Sequence, residues 1–234
     1  MLSIKNLSAG YGRLQVLYDI NLDVQRRSIS VIVGPNGSGK STLLKTIFGL
    51  TTIFSGEIKY NGYELNGLPP HKIAEKGVAY LPQTNNVFNT LKVRENLLMA
   101  GYRCGEELKD RVEESLNFFP VLKTYLDRKA STLSGGEKQM LAMAMALIRN
   151  PQIMLFDEPT ANLSPKISAE VLDKIVELRE NRDMTIILVE QNAKKALELG
   201  EQAYLLVSGR VAFKGSSQEL LSHPELGKLY LGLK

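Results

Sequence analysis

The first part of the chain alternates between apolar and polar positions and then changes period. LSIKNLSAGY (2–11) and VLYDINLDV (16–24) alternate as antiparallel strands with one buried face do. SISVIVG (28–34) is a continuous apolar run, which indicates a short buried strand, and KSTLLKTIFGL (40–50) has helical spacing. GEIKYNGYEL (56–65), with an Asn-Gly turn at its centre, predicts a hairpin. The chain therefore begins with an antiparallel patch and a strand–loop–helix unit.

The middle of the chain is predicted to be helical, and the end returns to alternating strands and helices. Residues from about 92 to 130 have a helical pattern that Pro120 interrupts. Strands are predicted at IMLFDEP (153–159) and MTIILVEQ (184–191), helices at 165–181 and 193–200, and a closing hairpin at 204–215. The pattern predicts an α/β fold: a core with a mixed β-sheet, an N-terminal antiparallel β patch and an inserted α-helical subdomain.

Composition narrows the class of protein. The net charge is +4 and the sequence pI is about 9.0, but the basic residues are scattered without a run of five. We therefore expect no nucleic-acid partner. The single cysteine, Cys104, fits a reducing cytosol. No apolar run reaches the ~18 residues that span a bilayer, so any work at a membrane is expected to go through partners.

Residues 34–41 match G-x-x-x-x-G-K-[ST], the phosphate-binding loop of P-loop NTPases, and the predicted strand and helix flank it as that motif requires. Its glycines let backbone N–H groups converge on phosphate, Lys40 supplies a point charge, and Ser41 offers a hydroxyl to Mg²⁺. The residues predicted to bind nucleotide here are Gly34, Asn36, Gly37, Ser38, Gly39, Lys40, Ser41 and Thr42.

A second buried strand ends in two carboxylates, Asp157 and Glu158. Such a strand is common by itself, but after a phosphate loop it predicts a metal-binding aspartate followed by a glutamate that polarises the attacking water.

The stretch LSGGEKQ (133–139) decides what the nucleotide is for, because here the chain resembles the ATP-binding-cassette family, whose signature this is. Ser134 and Glu137 also form an S-x-x-E capping box, so the stretch makes a good helix start whatever its function. The resemblance implies that Ser134, Gly135 and Gly136 contact a nucleotide held by a second cassette.

The resemblance covers nearly the whole chain and implies further roles. Tyr11 matches the aromatic residue that stacks on adenine, and Gln83 matches a glutamine that contacts Mg²⁺ and senses the membrane partner. Together with Lys40 and Glu158, Gln191 is implied in catalysis, although the family's usual residue there is histidine. A second departure is that Leu163 is followed by Ser164 instead of aspartate. The implied cofactors are ATP and Mg²⁺.

One branch of the family is closest in detail. LSGGEKQMLA, VEQNAKKALEL and the terminal LYLGL (229–233) resemble ATPase subunits of branched-chain amino-acid importers, with importers of amides or urea as the alternative. This implies transmembrane permease subunits, a second cassette subunit (identical or paralogous) and, indirectly, a substrate-binding protein as partners. The expected location is peripheral, on the cytoplasmic face of the cell membrane.

The resemblance also implies domain bounds. We expect one ATPase domain over 1–234, with a catalytic core at about 1–83 and 131–234 and a helical subdomain at about 84–130. A soluble cassette ATPase without a transport role stays open as an alternative. Repair-type members, however, place a long coiled coil between the phosphate loop and the signature, whereas hairpins and short helices are predicted here.

Overall fold

The computed structural model describes residues 1–223, so the terminal LYLGL lies outside the described residues. These residues form two β-sheets and eight α-helices. The strands are β1 (Leu2–Tyr11), β2 (Leu14–Val24), β3 (Ile29–Val33), β4 (Thr52–Tyr60), β5 (Tyr63–Glu64), β6 (Val78–Leu81), β7 (Ile153–Asp157), β8 (Thr185–Val189), β9 (Gln202–Val207) and β10 (Arg210–Ser216). The helices are α1 (Lys40–Ile47), α2 (Pro70–Glu75), α3 (Val93–Ala100), α4 (Leu108–Phe118), α5 (Gly135–Ile148), α6 (Pro165–Arg182), α7 (Ala193–Leu199) and α8 (Ser217–Ser222).

Contacts divide the described chain into two compact units. The first contains Met1–Tyr80, Gln152–Glu158 and residues 176–223, and the second contains Leu81–Pro151 and Pro159–Ile175. The segment 84–130, predicted to be a helical subdomain, lies inside the second unit. The predicted bounds of the catalytic core, about 1–83 and 131–234, stay a prediction.

The first unit has both sheets. One is antiparallel, in the order β2-β1-β4-β5, and the other has the order β10-β9-β3-β8-β7-β6. β3 pairs in parallel with β8 and β9, and β7 pairs in parallel with β8, whereas β9 and β10 are antiparallel. The predicted mixed sheet and N-terminal antiparallel patch are thus confirmed.

The core of the first unit explains why its strands alternate or run continuously apolar. Alternate side chains of β1 and β2, among them Leu7, Leu17 and Ile20, are fully buried, and they share one cluster with Leu43 of α1 and Leu155 of β7. β3, β7 and β8 are buried at every position, as expected for central strands of a largely parallel sheet. This packing holds the carboxyl ends of these strands at one edge of the sheet.

The second unit is mainly helical, with α3, α4 and α5 and short 3₁₀ turns. Pro120 begins a 3₁₀ turn directly after α4, which confirms the predicted interruption. α2 was not predicted; it is a single short helix that begins at Pro70, where proline suits a first helical turn.

Candidate functional site

The loop between β3 and α1 has a backbone that only glycine can adopt at two positions. Gly34 and Gly39 have φ values of 150° and 101°. A Cβ on Gly34 would lie 2.0 Å from the carbonyl oxygen of Leu206, and one on Gly39 would lie 2.9 Å from Leu17 Cδ2. The loop is therefore held against β9 and β2 in a conformation that any side chain would disturb.

Two polar side chains are buried inside this loop. Lys40 is 4% exposed, and its Nζ donates to the carbonyl oxygens of Gly34 (2.9 Å) and Pro35 (3.1 Å). Burial lowers the pKa of Lys40, although the nearby Glu158 and Asp157 carboxylates act in the opposite direction. Ser38 is 3% exposed and its Oγ has no hydrogen-bond partner. Since buried polar atoms are nearly always paired, this hydroxyl fits a ligand in the loop.

Asp157 is the last residue of β7 and is 4% exposed. Both of its carboxylate oxygens accept hydrogen bonds: Oδ1 from the hydroxyl of Ser41 at 2.7 Å and Oδ2 from the hydroxyl of Tyr80 at 3.0 Å. Burial, and the Asp157 carboxylate itself, raise the pKa of Tyr80 well above its usual range, so this phenol stays a donor. The structure thus joins the predicted Ser41 and Asp157, and it adds Tyr80, which sequence reasoning missed.

Glu158 follows Asp157 in a left-handed backbone conformation with a φ of 49°. Its N–H donates to the carbonyl oxygen of Val189 in β8 at 2.9 Å, which fixes the turn at the strand end. The side chain is half-buried. An unusual conformation at a strand end beside a buried carboxylate is typical of a functional position.

Gln191 lies at the same edge of the sheet, because β8 is between β3 and β7. It is exposed, and its backbone N–H donates to Oε2 of Glu190 at 3.2 Å. Glu190 is only 3% exposed. The next residue, Asn192, caps α7 by accepting from the N–H of Lys195. Two hydrogen bonds therefore fix the backbone of the short turn that contains Gln191.

Tyr11 ends β1 and keeps 42% of its surface exposed. Its hydroxyl lies 3.5 Å from Oγ1 of Thr42, in the first turn of α1. An exposed ring is thus available beside the loop, as stacking on a base would require. The predicted loop residues, Tyr11, Asp157, Glu158 and Gln191 all belong to the first unit.

The other predicted site residues, Gln83, Ser134, Gly135 and Gly136, belong to the second unit. Ser134 caps α5: its Oγ accepts from the N–H of Glu137 at 3.3 Å, and Glu137 Oε2 accepts from the N–H of Ser134 at 2.7 Å. A Cβ on Gly135 would lie 2.6 Å from Leu163, and one on Gly136 would lie 2.4 Å from Ile167. The predicted capping box is confirmed, and both glycines have a packing role. Gln83 is exposed in the loop after β6.

Residues 1–223 contain no cluster of three or more His, Cys, Asp or Glu side chains that could hold a metal. Nor is any helix in this range both long enough and apolar enough to cross a bilayer.

The fold and the first-unit site define a nucleotide-binding protein of the P-loop class. A glycine loop between the parallel strand β3 and helix α1 is followed along the chain by a strand, β7, that ends in a buried aspartate hydrogen-bonded to Ser41 at the start of that helix. Comparison with known proteins gives the family. The profile described as "ABC transporter" matches residues 17–161. The chain belongs to this family and is an ATP-binding cassette ATPase.

Individual relatives agree with this assignment. The chain is 53% identical to LivF of Archaeoglobus fulgidus, named as a probable branched-chain amino acid transport ATP-binding protein, over 100% of this chain and 99% of that protein. It is 40% identical to BraG of Pseudomonas aeruginosa, a high-affinity branched-chain amino acid transport ATP-binding protein, over 99% and 100%. Among solved structures, the ADP conformation of an ATP-binding cassette of an ABC transporter superposes with a TM-score of 0.88 and 25% identity, with 97% of each chain covered.

Proposed function

We propose that this chain hydrolyses ATP to power the import of branched-chain amino acids through membrane-embedded partner subunits. The observation that carries the nucleotide part is the loop itself, where a buried lysine and an unpartnered buried serine hydroxyl lie at a helix start. The substrate part is supported by two relatives that match along nearly their whole length and are both named for branched-chain amino acid transport.

ATP phosphates fit the loop for identifiable reasons. The glycines of the loop let backbone N–H groups point toward one centre, where phosphate would bind. The residues whose N–H groups are proposed to face it are Gly34, Asn36, Gly37, Gly39, Lys40, Ser41 and Thr42. Ser38 Oγ gains the partner that it otherwise lacks. Lys40 exchanges two backbone carbonyls for phosphate oxygens, which are stronger acceptors for an ammonium group. Tyr11 supplies the stacking surface for adenine.

The donor set also fits Mg²⁺, which prefers oxygen ligands and shares them with substrate phosphates. Ser41 Oγ and the Asp157 carboxylate lie within 2.7 Å of each other, and Gln83 would add an amide oxygen when the nucleotide is bound. A Mg²⁺ ion held there would supply positive charge to the phosphate oxygens during transfer.

Glu158 is proposed as the carboxylate that orients and polarises the attacking water, with Asp157 left to the metal. Gln191 is proposed as the donor to the γ-phosphate in place of the usual histidine. Its side-chain amide can donate without titrating, so the switch would work at any physiological pH.

The signature helix is proposed to act on the nucleotide of a second cassette. Ser134 Oγ uses a lone pair to cap α5, so its hydroxyl hydrogen can still donate to a phosphate. A solved cassette with 28% identity and a TM-score of 0.79 is a dimer in a post-hydrolysis state with ADP and Pi, which supports pairing. The second cassette is either a copy of this chain or a paralogue.

Contact with permease subunits is proposed for the second unit, which exposes large apolar side chains between residues 88 and 102. Phe88 is 51% exposed, yet its backbone is fixed: the side chain of the fully buried Asn96 accepts from Phe88 N–H and donates to its carbonyl oxygen. Leu98, Met99 and Tyr102 are also about half exposed or more. Exposed apolar patches mark interaction sites, and we assign that role to these side chains. Such contacts would hold the chain peripherally at the cytoplasmic face, with the substrate-binding protein engaged only indirectly.

Reconstitution tests this proposal. The chain should be placed in vesicles with permease subunits and a second cassette, with ATP inside and the substrate-binding protein outside, and the uptake of labelled leucine, urea and a short amide should be compared. Leucine uptake that requires intact Glu158 supports the proposal. Uptake of urea or the amide alone would reassign the substrate. ATP hydrolysis without any binding to permease subunits would favour the soluble alternative.

A further inference from the structure

We propose that Tyr80 is a positioning residue that holds the Asp157 carboxylate in the orientation that Mg²⁺ requires, an inference that rests on the metal site proposed above. Tyr80 is the last but one residue of β6 and is not part of the phosphate loop, the carboxylate pair or the signature. Its hydroxyl nevertheless donates to Asp157 Oδ2 at 3.0 Å.

The two donors to Asp157 have different consequences for the metal. Ser41, which donates to Oδ1 at 2.7 Å, is itself a proposed ligand, so its loss would alter the metal's own coordination. Tyr80 reaches the metal site only through Asp157 Oδ2. Because Asp157 is 4% exposed, bulk water cannot readily replace the phenol when it is removed.

The tyrosine ring is itself held in place. β6 lies next to β7 in the six-stranded sheet, and Tyr80 and Asp157 lie near the ends of these two strands. The ring packs against Phe48, the residue that ends α1, with a centroid distance of 5.6 Å and an interplanar angle of 40°. The strand position and the ring packing therefore direct the hydroxyl to Asp157, which is the arrangement expected of an outer-shell partner.

The expected effect of removing the hydroxyl follows from other metal sites, where loss of an outer-shell hydrogen bond costs roughly 10- to 100-fold in metal affinity or activity. Tyr80→Phe keeps the ring and its packing on Phe48 and removes only this bond. Nucleotide binding without metal does not use Asp157 and should be unchanged.

The experiment measures the dissociation constant of a fluorescent ATP analogue twice on each preparation, once with excess Mg²⁺ and once with a chelator. The ratio of the two constants reports the contribution of the metal, and any unfolded fraction cancels. Tyr204→Phe is the matched control, because Tyr204 is a fully buried tyrosine of the same unit whose hydroxyl donates to the carbonyl oxygen of Asp23 at 2.7 Å. A second readout is the Mg²⁺ concentration that gives half-maximal ATP hydrolysis.

Tyr80→Phe should reduce the Mg²⁺-dependent ratio by about 10-fold or more and raise the half-maximal Mg²⁺ concentration, with the rate at saturating Mg²⁺ close to wild type. Tyr204→Phe should leave both unchanged. A Tyr80→Phe ratio equal to that of wild type, or an equal drop in both variants, would overturn the role of Tyr80 and leave the proposed ATPase intact. If the nucleotide affinity of wild type does not depend on Mg²⁺, both the proposed metal site and this inference are overturned.

Discussion

Replacing Lys40 by methionine tests the nucleotide site most directly, because it removes the charge and nearly preserves the volume of a side chain that is 4% exposed. A hydrogen bond from a charged donor contributes about 1.5–3 kcal/mol, which corresponds to a roughly 10- to 150-fold loss of ATP affinity. In the folded chain the loop shields the ammonium group from water, since burial is the main cause of its lowered pKa. Its dehydration is a cost of folding and not of binding, so we expect a loss toward the upper limit, about 100-fold.

Titration with a fluorescent ATP analogue measures this loss, and Lys45→Met is the matched control. Lys45 lies in the last turn of the same helix and is half-buried, so its replacement removes the same charge without touching the loop. We expect Lys45→Met to bind ATP as wild type does. A folded Lys40→Met protein with wild-type affinity would refute the site. An equal loss of affinity in Lys45→Met would show that the effect comes from the overall charge of the protein and not from the loop.

Wild type and Lys40→Met also test the burial of Lys40, through the pH dependence of their free energies of unfolding. The pKa of Lys40 is lowered from 10.5 in the folded chain, so between the lowered value and 10.5 the unfolded chain binds more protons than the folded one. The contribution of Lys40 to the free energy of unfolding must therefore rise with pH across that window. Urea unfolding at a series of pH values should show the difference between wild type and Lys40→Met rising toward pH 10.5. A flat or falling difference would contradict the burial argument.

Three further predictions concern hydrolysis and pairing. Glu158→Gln should keep ATP binding and stop phosphate release, and with its natural mate present it should give a stable ATP-bound pair on size exclusion; turnover at the wild-type rate would remove Glu158 from catalysis. Ser134→Arg should leave ATP binding by the single chain intact and block hydrolysis in the pair, whereas lost binding would place Ser134 in its own site. Gln191→Ala should slow turnover by roughly 10²–10³-fold. Gln191→His should retain activity, but its hydrolysis rate should change near pH ~6.5, where an unperturbed histidine titrates. An alanine variant as fast as wild type would show that Gln191 has no role in hydrolysis.

The local features of this fold were predictable because their causes are local. Asn61 and Gly62 have φ values of 50° and 84°, as the tight turn predicted from the dipeptide requires. Gly49, with a φ of 74°, lies just after the end of α1, where a left-handed glycine commonly terminates a helix. In each case a few neighbouring residues determine the conformation, so the sequence pattern and the structure report the same physical constraint.

Tyr80 could not be predicted in this way. It is 77 positions from Asp157 in the sequence, and the two meet only because β6 lies beside β7. Alternation and motif spacing predict which segments become strands, but they do not give the order of strands in a sheet. The contacts of Gly136 with Ile167 depend in the same way on packing between α5 and the start of α6.

The structure also changes which residues of the motifs are informative about function. Gly34, Gly39 and Gly136 would each place a Cβ against neighbouring atoms, so the fold itself demands glycine there with or without a nucleotide. Lys40 and Ser38 are different, because a buried ammonium group and a buried hydroxyl without a protein partner are both unfavourable for folding. A protein gains nothing in folding from such groups. Their presence at one helix start is therefore better evidence for an anionic ligand than the glycines that make the motif recognisable.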